Sequence, residues 1–389
     1  MKERNYGIDL LKMFSMYLVV VLHVLGQGGI LVASKELSVG YTAAWSLEIF
    51  ACVAVNCFAL ASGYVGTQVS FKPRRLFNLW LVAVFYGLLW AVIFSLSGLA
   101  SVGFDGFKRA LLPFTHSDSG GYWYLTAYAV TFMLMPFYNF LINKLDKKKL
   151  AYLITVLLVL FSVIPAVKQY DYFHTSNGYS YVWLSTLYLV GAYMKKYSVF
   201  GNTGKAKLAL LTALCVAASS AGHYLVNLYA VNVRLEDISQ QADVLSNLYG
   251  NEANFLKPSM FTDYTFPTTV LTAVLLLALF SKINVKSEFA RGRISAFMPL
   301  VFSVYLIHTN YLVFENLLSG LFEGYASLNP AIMILAVLGT ALAVFAVCLM
   351  IDMLRFELFK QIKIDKLCEY AEQRFRQLFC RLFKEKQKG

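Results

Sequence analysis

Few ionisable side chains interrupt the apolar stretches of this 389-residue chain, and a charge or imidazole kept inside such a stretch is where chemistry is to be sought. The first stretch holds Asp9, Lys12 and His23, the second Glu48, the seventh His223 near its outer end, and the ninth His308 with Glu315 further out. Lys12 and His23 stand about 16 Å apart on a helix, close to three turns, so one groove would see both. Glu48 lies a few residues into the second helix, at the depth of His23. A carboxylate beside an imidazole fixes its tautomer and raises its basicity, which is what a general base for a hydroxyl needs. His23 and Glu48 are therefore expected as a catalytic pair; the alternative is a Glu48 that only hydrogen-bonds a neighbouring helix.

Arg74 and Arg75 follow Lys72 and Pro73 at the start of the third helix. Such a cluster binds phosphates by charge and bidentate geometry, or simply anchors a helix end, and spacing alone favours anchoring. Tyr122, Trp123 and Tyr124 open the fourth helix. They fit an aromatic interface belt or a set of rings that stack on sugars, and position does not separate the two. His308, in mid-helix, is as readily a satisfied interhelical histidine as a catalytic one; with Tyr122, Trp123 and Tyr124 it is expected among the substrate contacts. His116 and His174 fall in outer loops.

The elements that must position these groups are membrane helices. The chain is 58% hydrophobic and 14% charged, above the apolar share of a soluble domain, so the expected fold is all-α and polytopic. Ten spans are expected: 8–26, 43–65, 76–98, 122–142, 150–166, 179–194, 206–229, 265–283, 295–318 and 330–354. The fifth and sixth are the shortest, with Pro165 and the polar run 171–177 between them. Lys and Arg tend to stay cytoplasmic in short loops. With the N-terminus inside, only Lys35, Lys108, Arg109, Lys168, Arg234 and Lys257 of the 34 basic residues fall outside, so both termini are expected in the cytoplasm. The net charge of +12 is then a topology and lipid signal and gives no reason to expect nucleic acid.

The division expected is a transmembrane domain over 1–354 and a basic amphipathic cytoplasmic tail over 355–389. In the tail Ile364, Leu367, Ala371, Phe375, Leu378 and Leu382 recur at helical spacing, favouring the membrane surface over a partner helix. The loop 230–264 is rich in Asp and Glu and reads equally as an acceptor-side cover or a solvated connector. The six cysteines form no metal-type pair, so neither disulfides nor a metal are expected. The stretch GNTGKA (201–206) lacks the spacing and the Ser/Thr of a phosphate-binding loop, which leaves ATP use unsupported.

Four segments in order resemble the acyltransferase-3 family of membrane acyltransferases. The opening RNYGIDLLKMFSMYLVVVLHVLG (4–26) carries a basic residue and a histidine with ten residues between them, Lys12 and His23. FALASGYVG (58–66) is similar to the family's Phe-rich Ser-Gly-Tyr segment, GYWYLTAYAVTFMLMPFYN (121–139) to its fourth helix, and SVYLIH (303–308) to its late Tyr-Leu-Ile-His motif. Many members have arginine where this chain has Lys12, which turns a bidentate contact into a point charge.

The resemblance implies a ten-helix domain that takes an acyl group, usually acetyl from acetyl-CoA in the cytosol, to a hydroxyl of a surface glycan or lipid-linked precursor. His23 would then be the general base or acyl relay. Lys12, Arg74 and Arg75 would hold the donor's phosphates. Expected partners are the acyl-CoA, the glycan acceptor and membrane lipids, with a homo-oligomer left open, and the expected location is a multi-pass place in a bacterial plasma membrane. The rival from another class is a transporter or flippase of a glycan precursor, which would show internal repeats or broken helix pairs. No repeat is evident.

Overall fold

The structure is a computed structural model that describes residues 4–67, 71–114, 122–239 and 257–385, with backbone alone for 233–239 and 378–385. His116, most of the acidic loop, and Leu378 and Leu382 of the tail pattern fall outside the described side chains. Every regular element among the described residues is helical.

The long helices are α1 Tyr6–Leu25, α2 Val39–Gly66, α3 Arg74–Ser97, a short α4 Phe104–Leu111, α5 Trp123–Lys144, α6 Lys147–Lys168, α7 Tyr181–Lys196 and α8 Lys205–Ser239. A 3-10 turn, Pro258–Thr262, leads into α9 Pro267–Ser281, followed by α10 Glu288–His308, α11 Pro330–Gln361 and α12 Ile364–Glu385. Among the described residues nine spans, α9 taken together with the turn Pro258–Thr262 before it, are long and apolar enough to cross a membrane, and the protein is a multi-pass membrane protein.

The expected sixth span is α7, whose 16 residues make about 24 Å of helix, short of a hydrocarbon core of about 30 Å. It nevertheless covers the depth of α5. The ring of Tyr179, just before α7, lies 4.5 Å from that of Trp123, and Lys196 at its end donates to the carbonyls of Ile142 and Leu145. A helix walled in by α2, α5 and α6 has no lipid thickness to match, so its length is free to be shorter. Its packing is close: a Cβ on Gly63 of α2 would meet the carbonyl of Tyr188, and one on Gly191 that of Leu60. Small residues at such crossings let the two backbones approach.

α1 and α2 are largely buried, while α6 and α8 show most of their surface outward. α1 begins at Asn5, whose side chain accepts from the Ile8 N–H, and it can lie against the end of α9 because Gly7 has no Cβ to strike the carbonyls of Phe280 and Ile283. α6 widens into a π-turn over Val159–Val163 just before Pro165, where the missing N–H leaves carbonyls unpaired. The starts of α1 and α3 and the tail helix α12 share one end of the bundle, here the terminal face; Trp123 and the ends of α1 and α10 mark the far face. α11 runs past residue 354 to Gln361 and carries a buried ion pair, Asp352 with Arg355 at 2.7 Å, which Tyr86 of α3 completes with a 2.6 Å hydrogen bond.

Candidate active site

The last turns of α1 and α10 bring His23 and His308 together, with His23 Nδ1 2.9 Å from His308 Nε2. His308 Nδ1 lies 2.5 Å from the carbonyl oxygen of Val304, one turn back on its own helix. A carbonyl only accepts, so His308 carries its proton on Nδ1 and, in the neutral pair, offers the Nε2 lone pair to His23. His23 must then carry its proton on Nδ1, which leaves its Nε2 unprotonated. The chain of two imidazoles anchored on a backbone carbonyl thus assigns one basic nitrogen, the arrangement a general base requires.

The surroundings hold that pair in place. Phe314 meets the His23 ring edge-on at 5.0 Å, and the Gln27 amide donates to the Phe314 carbonyl at 3.0 Å. Tyr122 donates to the carbonyl of Leu306 at 2.7 Å and accepts from the Asn310 amide at 3.0 Å, pinning the turn that carries His308. α4 adds Arg109, whose guanidinium lies over the Tyr311 ring at 4.4 Å.

Eleven residues nearer the terminal face, Lys12 opens on a cavity of about 340 Å³ whose lining includes Arg75, Ser62, Asn78, Tyr124 and Phe302. Tyr124 ties this cavity to the histidine pair, since its N–H donates to the hydroxyl of Tyr305, one turn before His308. His23 is not among the described residues that line this cavity.

Two expectations need correction. His23 does not pair with Glu48: its ring nitrogen is taken by His308, and Glu48 Oε2 is buried with no protein partner among the described residues. The two share a depth but not a direction. His23 faces α10, whereas the Glu48 side of α2 faces α8 and the turn before α9, where Trp45 stacks on His223 at 4.8 Å and Ile49 packs with Phe261. Arg74 does not join Lys12 either. It points to the tail and pairs with Glu369 at 2.7 Å and Glu372 at 3.8 Å, while Arg75, about 100° further round the helix, lines the cavity.

The aromatic triplet divides in the same way. Tyr122 supports the His308 turn, Tyr124 lines the cavity, and Trp123 joins a cluster with Tyr179 and Tyr264. His308, expected among the substrate contacts, is the partner of His23, and Arg109, legible in the sequence only as a charge, lies beside the turn that follows it. Asn78 gives no sequence signal, whereas Asn310 is a polar residue two positions after a histidine in an apolar run.

A family model for an acyltransferase domain, that of the acyltransferase-3 family, matches residues 5–353. The chain belongs to the acyltransferase-3 family. The match takes in the four segments whose motifs resemble that family, all but Arg4 of the first, with both histidines and the Lys12 cavity. Neither the comparison with curated proteins nor that with solved structures returned a match. This acyltransferase-3 chain is thus a membrane acyltransferase whose histidine pair and basic cavity lie within the matched domain.

Proposed function

We propose that the protein moves an acetyl group from acetyl-CoA, or another acyl-CoA, to a hydroxyl of a surface glycan or its lipid-linked precursor, in a bacterial plasma membrane with both termini cytoplasmic. The observation that carries the reading is the unprotonated Nε2 of His23, set by the chain through His308 to the Val304 carbonyl. Lys12 and Arg75 line one cavity and would supply cations for the donor's phosphates, with the acyl arm extending along α1 toward His23. Arg74 takes no direct part in this scheme.

At the pair, His23 Nε2 accepts the proton of the acceptor hydroxyl as its oxygen bonds to the thioester carbonyl carbon. The carbon–sulfur bond then breaks, and the proton on Nε2 passes to the leaving thiolate. An ester and a free thiol result, and His23 returns to its starting form. His308 keeps the His23 proton on Nδ1 throughout and spreads the positive charge that develops on the pair. Trp123, with Tyr179 and Tyr264 around it, presents rings suited to a sugar face.

Release of free thiol from acetyl-CoA by the purified protein in lipid, with candidate acceptors supplied, tests the scheme. Turnover by wild type that disappears in His23→Ala supports it. No turnover by a folded wild-type protein would return the balance to a transporter.

A further inference from the structure

A second cavity, of about 280 Å³, opens at the terminal face where the start of α1 meets the ends of α7 and α9 and the first turn of α10. Among the described residues its lining includes Arg4, Tyr6, Lys195, Lys282 and Arg291, and no carboxylate. Lys195, Lys282 and Arg291 come from three separate elements and are all half-buried. The loop rule for Lys and Arg accounts for cations at one face of a membrane protein. It does not account for their convergence in one cavity, nor for how they are tied down.

Lys282 Nζ donates to the Gly201 carbonyl at 2.7 Å, and Arg291 Nε donates to that of Val285 at 2.6 Å, which leaves the outer guanidinium N–H groups of Arg291 open to the cavity. Lys195 rests over the Tyr64 ring at 4.9 Å, and Tyr6 stands between the guanidinium groups of Arg4 and Arg291, at 5.3 and 5.6 Å. Arg4 itself is paired with Asp9 at 2.6 Å. Fixed, partly desolvated cations without a counter-charge repel one another, and an anion with several acceptor oxygens relieves that repulsion while filling their hydrogen bonds.

We propose that this basin is a phosphate-binding site in which Lys195, Lys282 and Arg291 hold a phosphate group and Tyr6 offers a ring beside it. The site also has a direction. Along α10, which is interrupted by a turn at 298–300, Arg291 lines the basin, Arg4 donates to Ser295 Oγ at 3.1 Å, and Met298 and Phe302 line the Lys12 cavity. A phosphate in the basin therefore lies along the same helix as the Lys12 cavity. Two sources carry this chemistry at the terminal face: the phosphates of a nucleotide thioester and the headgroup of an anionic lipid. The basin does not depend on which group is transferred.

The test uses the full chain in nanodiscs. Calorimetric titration with adenosine 3′,5′-bisphosphate in neutral phosphatidylcholine is compared with retention of phosphatidylglycerol through purification, followed by native mass spectrometry. Lys195→Gln with Arg291→Gln is expected to weaken one of the two by about tenfold or more, since charged hydrogen bonds of about 1.5–3 kcal/mol are removed. Weakened bisphosphate binding identifies the nucleotide source, and weakened lipid retention the headgroup. Arg293→Gln, an exposed neighbour outside the basin, should bind as wild type does. The proposal fails if wild type binds neither, if the double variant binds both as well as wild type, or if Arg293→Gln weakens binding equally. Because the bisphosphate has no thioester, a chain unable to transfer acyl groups would still give the same binding result.

Discussion

Two histidines in the far half of the bundle, His23 and His223, sit in environments that differ in one respect: where their hydrogen bonds go. His23 belongs to a chain that ends on the Val304 carbonyl and leaves one defined basic nitrogen. His223 is held by ring contact with Tyr41 at 5.9 Å and Trp45 at 4.8 Å, and its Nε2 has no protein partner among the described residues. Trp45 Nε1, Glu48 Oε2, Ser220 Oγ and Asn227 Nδ2, on the same two helices, are also buried without one. Burial alone thus says little about chemistry; a tautomer held by a fixed acceptor says much more.

The largest expected effect that tests this contrast is His23→Ala, which should lower acyl transfer by about 10²–10⁴-fold, the range for a general base, with the melting temperature close to wild type. Equal turnover by this variant would erase the distinction between the two histidines. His308→Ala should cost less, about 10²-fold. It should also alter the pH–rate profile, because His23 then loses the partner that sets its proton. Acid protonates the pair and removes the base, so a His308→Ala pH–rate profile identical to that of wild type would count against the pair.

At the terminal end, Lys12→Ala should raise KM for the donor more than it lowers kcat, and Arg75→Ala should do so to a smaller extent. Arg74→Ala should leave donor KM within about twofold, its surface pairs with the tail being worth roughly 0–1 kcal/mol. Steady-state kinetics over donor concentration separates the three. The smallest effect belongs to Glu48→Gln. Transfer should stay within about twofold of wild type and thermal stability should hold or rise, because the change removes a buried carboxylate with an unpartnered oxygen. A hundredfold loss of turnover would restore Glu48 to the catalytic group.

The spacing of Lys12 and His23 was legible because helix geometry alone places residues eleven apart on nearly one face. Glu48 was misread because a shared depth constrains one coordinate only, and the rotation of α2 about its axis is set by packing against α8 and the turn before α9. Arg74 and Arg75 show the same limit within one dipeptide. Composition could rank them no differently, yet one full side chain's rotation sends Arg75 to the cavity and Arg74 to Glu369 and Glu372 of the tail. The shortness of α7 was visible in the sequence, but its enclosure by other helices was not.

By itself, the sequence determined the all-helical membrane class, most of the spans, the pairing of a cation and a histidine along α1, and membership of the acyltransferase-3 family. These follow from local composition, from helix periodicity and from motifs that survive in linear order. Only the tertiary structure decided that His23 answers to His308, that Arg75 and not Arg74 meets Lys12, and that cations from three distant segments share one basin. Those are contacts between helices far apart in the chain, and their partners depend on the rotation and close approach of each helix, which side-chain packing sets and no local pattern encodes.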